Sequence, residues 1–458
     1  MAGYKPYPEY KDSGAEWFRE VPGHWFVKRL KFLVTAYGGG TPNTNKPEYW
    51  DGDIPWVSPK DMKAELVTET EDYITALGVQ ESSTQLVPVD SVLMVVRSGI
   101  LRHSIPVSRN KVVVALNQDM KALITNDHLL SSYLQRFMQG NQKYLLNLWR
   151  KSGCTVESIE YGNVANTEFA IPPVKEQKAI VRFLDYKTGQ IDVLIAKKQT
   201  LLERLAEKRT ALISHAVTKG LSPNARMKNS GIEWLGHVPE HWHVSKLSFI
   251  ATSLQTGPFG SQLHADDYIE GGVPLINPAD IVNGQLIANI KNTVNEDVVE
   301  RLSRHVLELG DIVIARRGEM GRAAVVTERS VGWLCGTGSL RARVDESKII
   351  SGYLLKQFRL HGLADYLSLQ SVGSTMENLN TSILGRLPVL LPPIQEQREI
   401  LLTLNRSEDA LNKQMKKVGC AIEKLKEYRA ALITQAVTGK IDVRHIKIPE
   451  AAPEEQAA

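Results

Sequence analysis

The residues of this 458-residue chain best suited to chemistry lie in basic and polar loops flanked by glycine. Val96-Arg97-Ser98-Gly99-Ile100-Leu101-Arg102-His103 and Ala315-Arg316-Arg317-Gly318-Glu319 place arginines beside turns that let backbone approach a phosphate. A guanidinium can clamp a guanine edge or a phosphate through paired N–H donors. Gly38-Gly39-Gly40-Thr41-Pro42 and Thr256-Gly257-Pro258-Phe259-Gly260-Ser261-Gln262 occupy corresponding places. Their glycines permit positive φ or close backbone approach, and Gln262 could pair with an adenine edge. The candidate nucleic-acid contacts are therefore Gly39, Thr41, Arg97, Ser98, Arg102 and His103, then Gly257, Ser261, Gln262, Arg316 and Arg317. A second reading stays open for each: a solvated turn, a surface ion pair or a simple strand connection.

Signatures of catalysis are missing. There is no G-x-x-x-x-G-K-[ST] phosphate loop, H-E-x-x-H or G-x-S-x-G element, and no Pro-Asp dipeptide of a nuclease metal site. The two Pro-Pro pairs, Pro172-Pro173 and Pro392-Pro393, lack the aromatic residue of an amino-methyltransferase motif and read as helix entrances. Cys154, Cys335 and Cys420 are too scattered for a disulfide framework or a cysteine zinc site. A net charge of +4 is compatible with a polyanionic partner without requiring one. No apolar run is long enough to span a bilayer and the first residues show no secretory signal, so the expected location is cytoplasmic, away from membranes.

The elements that must position these loops come from a duplication. Ser13–Thr35, SGAEWFREVPGHWFVKRLKFLVT, recurs without a gap at Ser230–Thr252 as SGIEWLGHVPEHWHVSKLSFIAT. IPPVKEQKAI from Ile171 recurs as LPPIQEQREI from Leu391, and ALISHAVT from Ala211 as ALITQAVT from Ala431. The offset of about 220 residues is far too long for a solenoid and marks a duplicated domain plus helix. Between the shared blocks, Gly38–Ser152 and Leu254–Ser371 share little. Both alternate turn residues with short β-branched runs such as Val112-Val113-Val114 and Ile312-Val313-Ile314, and read as small mixed α/β domains. A constant frame around two differing inserts suits a protein whose inserts select different targets.

Because they recur in the frame, Trp17, Trp25, Trp234 and Trp242 read as core or docking residues rather than base-stacking ones. His24 and His241, with no acid or cysteine at ligand spacing, read as structural. Val174–Val217 has no interior proline, follows Pro172-Pro173 and precedes Gly220, which predicts a long helix with Gly189 as its weak point. Ile191, Ile195, Leu202, Leu205, Leu212 and Ala216 form an apolar seam, repeated as Leu411, Met415, Ile422, Leu425, Leu432 and Ala436. Two such helices related by a pseudo-two-fold axis pack as an antiparallel coiled coil. Glu176-Gln177 and Glu396-Gln397 read either as first-turn acids suited to the helix dipole or as contacts to a partner. Lys175, Lys178, Arg182, Lys197, Lys198, Arg204, Lys208 and Arg209 either face DNA phosphates or form a solvated face.

The predicted fold is α+β: two pseudo-symmetric mixed α/β target-recognition domains separated by two long helices packed as an antiparallel coiled coil. The expected divisions are 1–173 and 221–393 for the shared blocks with their recognition domains, 174–220 and 394–440 for the helices, and 441–458 for a tail. The sequence resembles the specificity (S) subunits of type I restriction–modification enzymes over nearly its whole length. The resemblance is carried by SGAEW…VPGHW and SGIEW…VPEHW, GGGTP…EYWDGDIPWVSPKDM from Gly38, TGPFGSQLHADDY from Thr256, GSTMENL from Gly373 and the two PP-x-x-EQ helices. It implies a non-catalytic subunit that reads a bipartite, asymmetric site in double-stranded DNA. It further implies assembly with two adenine methyltransferase subunits and, for cleavage, two restriction subunits, so that S-adenosylmethionine, ATP and magnesium belong to the partners and no cofactor to this chain. The rival readings are a self-sufficient DNA methyltransferase or nuclease, and a structural coiled-coil adaptor.

Overall fold

The computed structural model describes residues 4–449 apart from 16, 152, 154, 320 and 372–378. The GSTMENL motif from Gly373 and the tail beyond Pro449 thus lie, wholly or almost so, outside the described residues. The chain forms two compact units, the first comprising residues 1–199 and 420–458 and the second residues 200–419. Each contains one frame, one insert and a segment of both long helices.

In the first unit the frame strand Phe26–Arg29 pairs antiparallel with Glu168–Ile171, which leads into the first long helix. In the second, His243–Lys246 pairs with Pro388–Leu391 in the same sense, Phe26↔Ile171 matching His243↔Leu391. The inserts also share a topology. Val34–Gly38, Met120–Thr125, Val92–Val95 and Val107–Asn110 lie side by side in one sheet, edged by the short strand Leu66–Val67. Ala251–Thr256, Ser339–Val344, Ile312–Ala315 and Ala323–Val325 repeat that order in the other unit. A parallel pairing recurs beside each sheet, Leu116 opposite Val57 and Cys335 opposite Ile276.

The central strands Val92–Val95 and Ile312–Ala315 are buried at every position, which explains their uninterrupted apolar runs: both faces of the sheet are covered. Val112-Val113-Val114 is a correction to the sequence reading. Val112 and Val113 are exposed in a turn, where the Asn110 amide donates to the carbonyls of Pro88 and Val112 at 2.8 Å. An asparagine side chain satisfying turn carbonyls outweighs the β propensity of Val112 and Val113, whereas Val114 is buried and pairs antiparallel with Val87.

The long helices run Val174–Lys219 and Ile394–Val437. Gly189 and Gly419 do not interrupt them, while Gly220 and Gly439, at φ +74°, follow their ends in the left-handed region that favours glycine. Within the first unit, Ile180, Phe183 and Leu184 share a core with Leu432, Ile433 and Val437, and Arg429 meets Asp192 at 2.8 Å. Within the second, Ile213, Ala216 and Val217 share a core with Ile400 and Leu404, and Arg209 reaches Asn412 at 3.3 Å. As one helix advances its partner residues retreat, so the helices pack antiparallel in each unit. The predicted seam is sound at Ile191, Ala216, Leu411, Ile422, Leu432 and Ala436, all buried. Leu212 departs from it: it is exposed and Ile213 takes the core position, because 3.6 residues per turn drift away from a strict heptad.

Candidate nucleic-acid interface

Each frame is tied to its helix by the Glu-Gln pair that opens it. Glu176 is buried and accepts hydrogen bonds from Tyr7 Oη at 2.6 Å and Trp25 Nε1 at 2.9 Å, with His24 Nε2 at 2.7 Å. Glu396 repeats this with Trp242 at 3.1 Å and His241 at 2.8 Å. Gln177 accepts from the backbone N–H of Leu130 and donates to the carbonyls of His128 and Pro172. Gln397 does the same with Ile350, Lys348 and Pro392. Tyr7 shows the electrostatic consequence, since burial and the Glu176 carboxylate push its hydroxyl far above the usual tyrosine range. The histidines therefore do have acidic partners, about 150 residues away in sequence. The signal for them was the recurrence of both Glu-Gln pairs alongside both His-Trp pairs.

On this support, three turns converge in each insert. In the first unit Gly40 N–H donates to Leu116 O at 2.8 Å, and a Cβ on Gly39 would lie 2.0 Å from Asn117 O, so the glycine loop lies directly on the turn before strand Met120–Thr125. The Thr41 hydroxyl donates to the Gln118 side-chain carbonyl. Val96 N–H donates to Asp119 O at 2.8 Å, and Arg97 Nε contacts Asp119 Oδ1 at 2.5 Å. Thr41, Arg97, Gln118 and Asp119 form one polar ridge, with Arg97 half exposed and its ion pair made through Nε. Ser98 follows directly, its hydroxyl accepting from Ile100 N–H in the next turn. Arg102 and His103 are exposed at the end of that turn, Arg102 lying 3.5 Å from Glu157, which also pairs with Arg150.

In the second unit Gly257 N–H donates to Ser339 O at 3.0 Å, and a Cβ on Gly257 would fall 1.8 Å from Gly336 O. Arg316 N–H donates to Gly338 O at 2.9 Å, the counterpart of the Val96–Asp119 contact. The Arg316 side chain turns inward, its Nε donating to Leu379 O at 3.0 Å, while burial and the neighbouring Arg317 guanidinium lower its basicity. Arg317 is exposed. Gln262 is exposed and its side-chain carbonyl accepts from Phe259 N–H at 3.3 Å, which leaves the amide NH2 group directed by that bond. The side chain of Ser261 lies outside the described part of the structure.

Sequence reasoning found two of the three turns and missed the third, Asn117-Gln118-Asp119 and Gly336-Thr337-Gly338. Its signal was a turn-forming triplet just before a β-branched or apolar strand, with nothing local to say which surface it joins. The chemistry differs between units: two amides and a carboxylate in the first, a hydroxyl between two glycines in the second. The exposed lysines of the first long helix include Lys175, Lys178, Lys197 and Lys208. Among the described residues no cluster of His, Cys, Asp or Glu could hold a metal ion, and no helix is long and apolar enough to cross a membrane.

Gly257→Ala is expected to remove the second ridge alone. The added methyl runs into the Cys335-Gly336 backbone, which cannot swing aside as a side chain would, and costs about 1–3 kcal/mol of overpacking. Footprinting should show protection lost over one half of a DNA site and kept over the other; unchanged protection of both halves would disprove a role for that turn.

A frame built twice, carrying two ridges of the same backbone design but different side chains, defines a duplicated recognition protein. A model of the type I restriction modification DNA specificity domain matches residues 22–204 and 239–418, and the chain belongs to that family. It is 41% identical over 182 residues to the EcoR124I/EcoR124II specificity subunit of Escherichia coli, a stretch covering 40% of this chain and 44% of that one. With the MjaIX specificity subunit of Methanocaldococcus jannaschii it is 24% identical over 97% of this chain and 99% of that one. The fold is shared with a chain solved in a study of complex assembly and conformational transition of the type I R-M system, at TM-score 0.70 and 16% identity over 92% of this chain and 99% of that one. The HsdS subunit of Thermoanaerobacter tengcongensis is a second structural relative, at TM-score 0.51, 16% identity and coverage of 92% and 98%. Membership makes this chain a DNA-recognition subunit that works with other subunits in a restriction–modification complex.

Proposed function

We propose that this chain reads a split, asymmetric DNA site, one half with each unit, and directs adenine methylation by two methyltransferase subunits. With two restriction subunits added, the same reading directs ATP-dependent cleavage. S-adenosylmethionine, ATP and magnesium are then held by those partners, and the complex works in the cytoplasm. The boundaries 1–173, 174–220, 221–393, 394–440 and 441–458 describe the corresponding functional segments. The observation that carries this reading is the doubled ridge: the same three turns on the same strand order, with Gln118 and Asp119 in one unit and Thr337 and Gly338 in the other. Arg97, Ser98, Arg102, His103, Gly39 and Thr41 contact one half-site; Gly257, Ser261, Gln262, Arg316 and Arg317 contact the other.

Methylome sequencing of cells expressing the chain with its methyltransferase subunit tests the proposal. The expected result is a split motif with methylated adenine in each half, present only when this chain is present; an unsplit motif would rule the reading out. Affinity of the complex for DNA should fall steeply as salt rises, with a log–log slope of about −0.9 per phosphate contact. Binding that ignores salt would return the chain to the structural-adaptor reading.

A further inference from the structure

Two exposed side chains of the first ridge are held at one end, and the held end decides what the free end offers. Arg97 gives its Nε–H to Asp119 Oδ1 at 2.5 Å while its side chain stays 52% exposed. The terminal Nη1 and Nη2 groups are left as a fork of N–H donors. The Thr41 hydroxyl donates to Gln118 Oε1, so the carboxamide of this exposed residue presents its NH2 group. The supports are fixed in turn. Asp119 N–H donates to Oδ1 of the buried Asn117 at 3.0 Å, and Asp119 O accepts from Val96 N–H at 2.8 Å. In the second unit the same backbone carries different chemistry. Arg317 stands in the place of Arg97, since Arg316 N–H donates to Gly338 O as Val96 N–H does to Asp119 O, and Gly338 has no carboxylate to orient it.

We infer that the first ridge reads a guanine from the major groove, Arg97 pairing with its O6 and N7, and that Asp119 and Thr41 are the positioning residues for Arg97 and Gln118. The inference rests on the proposed function, in which this ridge faces one half-site. Free ends that are N–H donors call for a base edge made of acceptors. Guanine O6 and N7 form that edge and match a guanidinium fork, whereas adenine sets an acceptor beside an NH2 donor. With its carbonyl engaged by Thr41, Gln118 adds another donor and not the donor–acceptor pair that adenine requires. A phosphate would also accept from Arg97. The Asp119 carboxylate on the same guanidinium, however, offsets its charge and repels a phosphate, while a neutral base edge is not repelled.

The test is methyl transfer and DNA binding by the full chain with its methyltransferase subunit, on duplexes carrying the motif found by methylome sequencing. The half-site that follows an exchange of residues 38–152 should contain a guanine. Replacing that guanine by 7-deazaguanine, which has C–H in place of N7, should slow wild-type transfer by about tenfold or more. Arg97→Ala, already slow and no longer selective at that one position, should not respond to the replacement. Asp119→Ala should bind non-cognate DNA more tightly, the repelling carboxylate being gone, while its preference for guanine falls by about tenfold; a merely structural role would lower both affinities. A split motif with no guanine in that half, or a guanine whose N7 is removed without effect, would overturn the assignment and leave the proposed function standing. A loss in Arg97→Ala that is equal for all sequences, with the salt slope reduced by about one, would overturn it in favour of a phosphate contact. An unsplit motif would overturn the proposed function itself.

Discussion

Exchange of residues 38–152 for the corresponding insert of another specificity subunit should change one half of the methylated motif completely and leave the other half untouched. The reason is structural. The five-stranded sheet and its three turns are built almost wholly from this segment, and the frame strand Val34–Gly38 meets it through backbone pairing to Met120–Thr125, which tolerates a change of side chains. Recognition energy resides in contacts to base edges, each good bidentate pair being worth about 1–3 kcal/mol against a wrong base. Replacing a whole ridge therefore changes the half-site outright instead of weakening it. Methylome sequencing reads both halves at once, and a change in both would contradict independent units. The same exchange at 254–371 should alter only the other half.

Glu176→Ala should be among the most damaging single substitutions in the frame, costing about 3–5 kcal/mol, as expected when one member of a buried hydrogen-bonded charge cluster is removed. Its side chain is 6% exposed, and its loss strands the Trp25 indole N–H and the Tyr7 hydroxyl without their acceptor. Glu396→Ala should cost less, about 1–2 kcal/mol. That carboxylate is 25% exposed and, among the described residues, has no tyrosine donor, Asn224 standing where the repeat places Tyr7. Hydrogen exchange across residues 18–29 and the start of the first long helix should accelerate strongly in the first variant, and only modestly across 235–246 in the second. Equal effects would show that the buried tyrosine contact is unimportant. Glu176→Gln, which keeps one acceptor oxygen, should fall between.

Much of this was legible in the chain because duplication turns long-range structure into a local comparison. The frame, the two helices and their punctuation by Pro172-Pro173 and Gly220 could be read from repeated words. So could two of the three turns, since glycine clusters announce close backbone approach without reference to the fold. The seam was readable except where helical drift moved the core from Leu212 to Ile213. Val112 and Val113 misled because local β propensity says nothing about the Asn110 amide that holds the turn open.

Only the tertiary structure showed that the diverged inserts are one fold. Strand order is preserved by backbone hydrogen bonds and by burial of any apolar residue of suitable size, so two inserts can lose nearly all sequence likeness and keep their topology. Only the tertiary structure, likewise, brought Gln118 and Asp119 to Thr41 and Arg97, and Glu176 to His24 and Trp25. These partners are separated by 22 to 152 residues. Sequence spacing carries the period of a helix or a strand, but which turns share a surface is decided when the sheet closes and the helix docks.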